Sequence, residues 1–372
     1  MFNPMIKYPL IKPELGEEEL LEVRKVFKSG WLTQGPYVEL FEREFAKYVG
    51  ARYAVAVTSC TTALYLSLKA LKLRNKILVP DFTFPATANA AIEAGLEPVL
   101  VDVDPKNYGI DFNLVKENLP QNTSGIIVVH PFGYPLDLQT FLDFVKEKDL
   151  YLIEDAATAL GSLRKQRHAG TFGHVGCYSF HPRKLLTTGE GGMIVTNDEE
   201  LYEKLLILRD HGRDKSGRFV EHSLNFRMPD ILAAIGLIQL RKIEEIIEKR
   251  RKIAKIYIKI LKDLMPFLHI IEEDNDSRCT YQSFVVKLPR KYASYQHHIM
   301  RSLREEYGIE SQIGTYALHL EPSFSNYSNL GSLKVSEELR TTTLTLPLYS
   351  DLEYSDFEYI ANALKTTLRK IG

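Results

Sequence analysis

Between residues 53 and 197, seven short and nearly continuous apolar runs (53–57, 76–79, 98–102, 125–129, 150–153, 176–180 and 192–196) alternate with segments of helical period. Strands that are apolar on both faces, each separated from the next by a helix, form a mostly parallel sheet covered on both sides. The expected fold is therefore α/β, a large domain on a mostly parallel seven-stranded sheet covered by helices. Ligands of such sheets gather in the crevice outside the carboxyl ends of the strands. Ser59, Thr61, Asp155, Ser179 and Lys184 all stand where a strand gives way to a loop or helix, so residues far apart in sequence can share one crevice. From Asp230 to about Leu264 the chain is rich in Ile, Leu, Lys, Arg and Glu, which predicts a long helix with one apolar stripe connecting two domains. Beyond it, a strand at 284–288, a helix at 295–307 and a terminal helix at 356–369 predict a smaller C-terminal α+β domain. The chain thus divides into 1–265, which includes the N-terminal segment and the long helix, and 266–372, with no internal repeat or low-complexity tract.

Charge and cysteine content narrow the partners. Forty-seven basic residues nearly cancel forty-eight acidic ones, so no overall field draws nucleic acid or an anionic membrane, and any anionic ligand must be held by local groups. No stretch approaches the ~20 apolar residues of a membrane span. The opening Met1-Phe2-Asn3-Pro4-Met5 lacks a basic segment leading into an apolar one. Cys60, Cys177 and Cys279 are widely spaced and form no C-x-x-C pair, so neither a structural disulfide nor a zinc site is expected. His130, His181, His211 and His319 lack ligand-like spacing to carboxylates or cysteines, and no metal is expected. The chain reads as a cytoplasmic protein.

The chemistry concentrates in two places. Lys184 closes the run Ser179-Phe180-His181-Pro182-Arg183 and opens onto Gly189-Glu190-Gly191-Gly192, while Asp155 ends a buried strand. A lysine condenses with an aldehyde to a Schiff base, and a carboxylate keeps a pyridine nitrogen protonated; together these contacts make pyridoxal phosphate an electron sink. Taken singly, Lys184 could be a surface lysine, and Asp155 a helix cap or salt-bridge partner. Ser59-Cys60-Thr61-Thr62 joins a strand to an amphipathic helix, where free N–H groups and hydroxyls suit a phosphate, although plain N-capping uses the same residues. Phe84 could stack on a planar ring or fill core space. Ser179 could reach the same phosphate or bond backbone. Arg227 and the segment 312–319 are candidates for the substrate mouth, or for structural roles at the domain junction.

Together these residues identify a resemblance. Ser29-Gly30-Trp31-Leu32-Thr33-Gln34-Gly35-Pro36, Thr83-Phe84-Pro85-Ala86-Thr87, Glu154-Asp155-Ala156-Ala157, the lysine segment, Asn225-Phe226-Arg227-Met228 and Leu346-Pro347 resemble the DegT/DnrJ/EryC1/StrS sugar aminotransferases over nearly the whole chain. That family lies within the fold type I, aspartate aminotransferase-like, pyridoxal phosphate enzymes. The resemblance implies an internal aldimine at Lys184, which also shuttles the proton, and Asp155 on the pyridine nitrogen. It implies Ser59, Thr61 and Ser179 on the phosphate, Phe84 against the ring, and Asn225 reaching the cofactor phosphate of a neighbouring subunit in a homodimer. Cys60 and Thr158 fall at cofactor-contacting positions where the family often carries glycine, and glutamine or histidine, respectively; Thr158 keeps a hydroxyl.

The implied reaction, in amino sugar biosynthesis, moves an amine from an amino acid, with L-glutamate the family's usual donor, to a nucleotide-linked keto-deoxysugar. A dehydratase branch of the family carries histidine at the position of Lys184, which makes sugar dehydration the alternative reading. A non-catalytic, cofactor-binding regulatory protein is a further alternative, and retention of both Asp155 and Lys184 argues against it. A nicotinamide dehydrogenase is disfavoured because the first strand is followed by Thr58-Ser59-Cys60-Thr61-Thr62 and not by G-x-G-x-x-G.

Overall fold

The computed structural model describes residues 6–371. Met1 to Met5, on which the expectation about a leader rests, lie outside the described residues. The expected strands form as β1 (Tyr53–Val57), β2 (Lys76–Pro80), β3 (Glu97–Val101), β4 (Thr123–Val129), β5 (Tyr151–Asp155), β6 (Val175–Ser179) and β7 (Gly192–Thr196). They lie side by side in the order β1-β7-β6-β5-β4-β2-β3. Within this set only β7 runs antiparallel to its neighbours.

The count of seven needs one correction. The sheet has eight strands, because Asn329–Leu330 pairs in parallel with β3 at the edge. Two residues are too few to show any alternation in sequence, and only the folded chain brings them beside β3.

Alternate side chains of each strand enter different cores. Val55, Val57, Ile77, Val79, Ile127, Ile153, Cys177 and Ile194 pack beneath the helices Cys60–Ala70, Ala86–Glu93 and Glu199–Arg209. On the opposite face Ala54, Ala56, Tyr178 and Met193 meet the helix Pro36–Val49, and Leu78, Ile126, Val128 and Leu152 meet Gln139–Glu147. Burial on both faces explains why the strands read as unbroken apolar runs.

The long helix forms over Asp230–Leu264 and serves two cores. Its first half places Ala233, Ile243 and Ile247 against the large sheet. Its second half places Ala254, Tyr257 and Leu261 against a four-stranded antiparallel sheet that includes Phe284–Lys287, Thr343–Leu346 and Gln312–Ile313. The chain crosses between the cores more than once: Tyr8 joins the core of the four-stranded sheet, whereas Leu318, Phe324 and Leu333 join a core of the eight-stranded sheet.

Candidate active site

The strand ends form the floor of the site. Val57 stands opposite Gly192 and Gly192 opposite Ser179; Asp155 stands opposite Cys177 on one side and Val129 on the other. Val57, Cys177 and Ile194 belong to the core beneath the helix Cys60–Ala70. By the two-residue period of a strand, Ser179 and Asp155 face the same side. That helix begins directly above them. Ser59 is its N-cap, accepting from Thr62 N–H at 3.1 Å, and the Thr62 hydroxyl lies 2.9 Å from Ser59 Oγ and 3.0 Å from Thr58 Oγ1. The capping alternative is thus realised at Ser59. Gly192 permits this close approach: a Cβ there would fall 2.5 Å from Ser59 C and O and 2.6 Å from Cys60 N.

Asp155 is buried, and its carboxylate is fixed on both oxygens. Thr87 Oγ1 donates to Oδ2 at 2.8 Å, and Ala157 N–H donates to Oδ1 at 3.1 Å. Burial pushes the carboxyl above its ordinary range; Thr87, Ala157 N–H, Lys184 and His130 oppose that rise. Lys184 lies within electrostatic reach of Asp155 and Cys60. Burial holds its amine below the ordinary lysine value, and Arg183 adds to the effect. Cys60 is the first residue of the helix, and burial raises its thiol so far that it stays protonated at neutral pH and supplies no counter-charge to Lys184. Among the described residues the Lys184 amine has no hydrogen bond or ion pair. The site therefore holds a partly dehydrated amine, a fixed buried carboxylate and an exposed helix N-terminus at one end of the sheet.

The sequence profile of the DegT/DnrJ/EryC1/StrS aminotransferase family matches residues 13–365. The chain belongs to the DegT/DnrJ/EryC1/StrS aminotransferase family. A GDP-perosamine synthase of Escherichia coli O157:H7 is 31% identical over 96% of the chain and 98% of that protein. Among solved structures, the aminotransferase TlmJ from Streptoalloteichus hindustanus superposes with a TM-score of 0.91 at 32% identity, covering 98% of this chain and 99% of TlmJ. E. coli GDP-4-keto-6-deoxy-D-mannose-3-dehydratase, solved with bound hydrated pyridoxal phosphate, gives a TM-score of 0.90 at 27% identity, covering 97% of this chain and 100% of that one. The family's pyridoxal phosphate fold type I architecture is the one described above.

The residues present fit the family's cofactor. The unpartnered amine of Lys184 suits an aldehyde, the buried Asp155 carboxylate suits a cationic nitrogen, and the N–H groups after Ser59 suit a phosphate. Other expected members are distributed more widely. Thr61 is exposed at the helix start, and Ser179 is half-buried, accepting from His181 N–H at 3.4 Å. Phe84 is 62% exposed, with its ring edge-on to Tyr316 at 6.1 Å. Thr158 donates its hydroxyl proton to the His130 carbonyl at 2.7 Å, so towards a ligand it offers a lone pair and not the donor expected from sequence. Asn225 is exposed, its side chain accepting from Arg227 N–H at 3.2 Å. Arg227 bridges Val57 through its main chain and pairs with Asp210.

The segment 312–319 does reach the crevice, since Tyr316–Ala317 pairs with Phe82–Thr83 beside Phe84. His319 is fixed there by Asp81, whose Oδ2 lies 2.7 Å from His319 Nδ1. Thr87 escaped the sequence reading as an Asp155 partner. It lies within the 83–87 motif, but which way a helix's first turn faces depends on the strand it leaves. Among the described residues no helix is long and apolar enough to cross a membrane, and no group of three or more His, Cys, Asp or Glu side chains could hold a metal ion.

Proposed function

We propose that the protein is a pyridoxal phosphate-dependent sugar aminotransferase that takes the amine of an amino acid, with L-glutamate as donor, and delivers it to the ketone of a nucleotide-linked keto-deoxysugar. The reading is supported by the buried Asp155 carboxylate and the Lys184 amine lying within electrostatic reach of each other. Pyridoxal phosphate, when bound, supplies an electron sink for the carbanion formed at the donor's Cα. Lys184 would hold it covalently, Asp155 would hold the proton on its pyridine nitrogen, and Ser59, Thr61 and Ser179 would bind its phosphate. Phe84, Cys60 and Thr158 would line it.

The lowered basicity of the amine suits Lys184 Nζ to act as both acid and base. It takes the α-proton of the amino acid and, in the second half-reaction, delivers a proton to the sugar carbon that receives the amine. Lysine at 184, where the dehydratase branch has histidine, favours transfer of nitrogen over loss of water.

The functional unit is a homodimer in this reading. Leu20, Leu21, Phe27, Trp31 and Leu32 are each at least 43% exposed on and after the helix Glu17–Ser29, an apolar face that a second copy would cover. Asn225 then reaches the neighbouring cofactor. Three free cysteines suit a reducing, cytoplasmic setting.

The experiment adds pyridoxal phosphate, L-glutamate and a panel of nucleotide-linked keto sugars to the purified chain. The expected result is a visible absorbance band and amino-sugar product with one nitrogen gained, both lost in Lys184→Ala. Wild-type turnover in Lys184→Ala, or loss of water without gain of nitrogen, overturns the proposal.

A further inference from the structure

The loop that carries Lys184 is fixed from outside by the smaller sheet. Within the loop, Arg183 N–H donates to His181 Nδ1 at 3.1 Å and Lys184 N–H donates to the His181 carbonyl at 2.8 Å. The carbonyl of Arg183, which begins the peptide unit leading into Lys184, has a different partner: Gln282 Nε2 donates to it at 2.5 Å. The guanidinium of Arg183 is held as well, with Nη1 donating to Gln312 Oε1 at 2.8 Å. Gln282 precedes the strand Phe284–Lys287 and Gln312 opens the strand Gln312–Ile313, and both strands pair with Thr343–Leu346.

Gln282 is itself well anchored. Its side chain is buried, its carbonyl accepts from Arg250 Nη2 at 3.1 Å, and a Cβ on Gly133 would fall 2.8 Å from its nitrogen. Arg250 lies on the long helix and also donates to the carbonyls of Tyr281 and Leu348. A buried amide spent on one loop carbonyl fixes that loop against a rigid frame, and a misplacement of about 1 Å at a reacting group can cost on the order of a hundredfold in rate.

We propose that Gln282 and Gln312 are positioning residues that aim Lys184, holding Arg183 at its carbonyl and at its guanidinium from the smaller sheet. The inference rests on the reading of Lys184 as the reacting amine.

The test titrates Lys184 in the full-length chain without cofactor, by pulse labelling with an amine reagent across pH and quantifying the modified peptide. Gln282→Leu and Gln312→Leu keep the bulk and remove the polar contact; Gln312 is partly exposed, so its variant keeps the test open if Gln282→Leu fails to fold. Gln296→Leu is the control, an equally buried glutamine whose amide serves the Arg340 and Thr343 carbonyls. Released from its frame, the amine gains water, and the labelling midpoint moves up by about half a pH unit or more in the clamp variants while staying put in the control. An unchanged midpoint in either folded clamp variant, or an equal shift in Gln296→Leu, overturns the proposal. Failure of the wild type to develop a visible band with pyridoxal phosphate overturns the functional reading instead, and the cofactor-free titration still decides the clamp.

Discussion

The Thr87 hydroxyl donates to Asp155 Oδ2 at 2.8 Å, which ties the first turn of the helix Ala86–Glu93 to the end of β5. Thr83 Oγ1 lies 3.2 Å from the same hydroxyl and extends the contact to the chain just before Phe84. Replacing Thr87 by Val removes a hydrogen bond to a buried carboxylate, a loss of about 1–3 kcal/mol. The carboxyl is then held less firmly in its ionised form. Thr87→Val is expected to weaken pyridoxal phosphate retention about tenfold, measured by titrating the visible band against free cofactor. Equal retention in the two proteins counts against Asp155 as the cofactor's charge partner.

Burial of the Asp155 carboxylate costs stability in the cofactor-free chain. Its folded carboxyl sits above the ordinary value of 3.8 because of burial. Between that value and the raised one, the native state binds more protons than the unfolded chain, so stability falls as pH rises through the window. Asp155→Asn abolishes this dependence. The variant is expected to unfold at a higher temperature than the wild type at pH 7, on the order of 1 kcal/mol more stable, with the gap closing towards pH 4. Calorimetry of both cofactor-free proteins across pH checks it; a gap that widens on acidification contradicts the sign.

Gly192 is a steric requirement of the helix start at Ser59 and Cys60. A methyl group there meets Ser59 and Cys60 backbone at 2.5–2.6 Å, and these are main-chain atoms at a helix start with no rotamer to yield. Gly192→Ala should cost about 1–3 kcal/mol in urea unfolding and displace the N-terminus of Cys60–Ala70. Cofactor retention should fall with it, whereas Gly189→Ala, where a Cβ meets nothing within 4 Å, carries only the cost of its positive φ of 87°.

The exposed apolar face of the N-terminal helix gives a test of assembly. Leu20 and Phe27 are each 60% exposed and two helical turns apart, so they share one side of Glu17–Ser29. The double variant Leu20→Glu with Phe27→Glu is expected to sediment as a monomer where the wild type sediments as a dimer, and to retain pyridoxal phosphate less well through loss of Asn225 of the second copy. A monomeric wild type removes Asn225 from the site.

The covered sheet was legible because its strands are buried on both faces, which leaves uninterrupted apolar runs such as Ile126 to Val128, and the long helix was legible from its stripe over Asp230–Leu264. Asp155 was legible as a strand-end carboxylate, and Lys184 as an amine on the loop that follows the next strand of the sheet. Asn329–Leu330 was not, because a two-residue strand has no period to read.

By itself, then, the sequence determined seven of the eight strands of the large sheet, the long helix and the chemical types at the strand ends, because burial and strand termination leave a periodic, local imprint. Only the tertiary structure decided which groups hold those residues: Thr87 on Asp155, Thr158 turned to the His130 carbonyl, Gln282 and Gln312 on Arg183. Each of these is one polar contact between side chains or loops whose directions depend on how the elements pack, and a single contact of that kind writes no pattern into the chain.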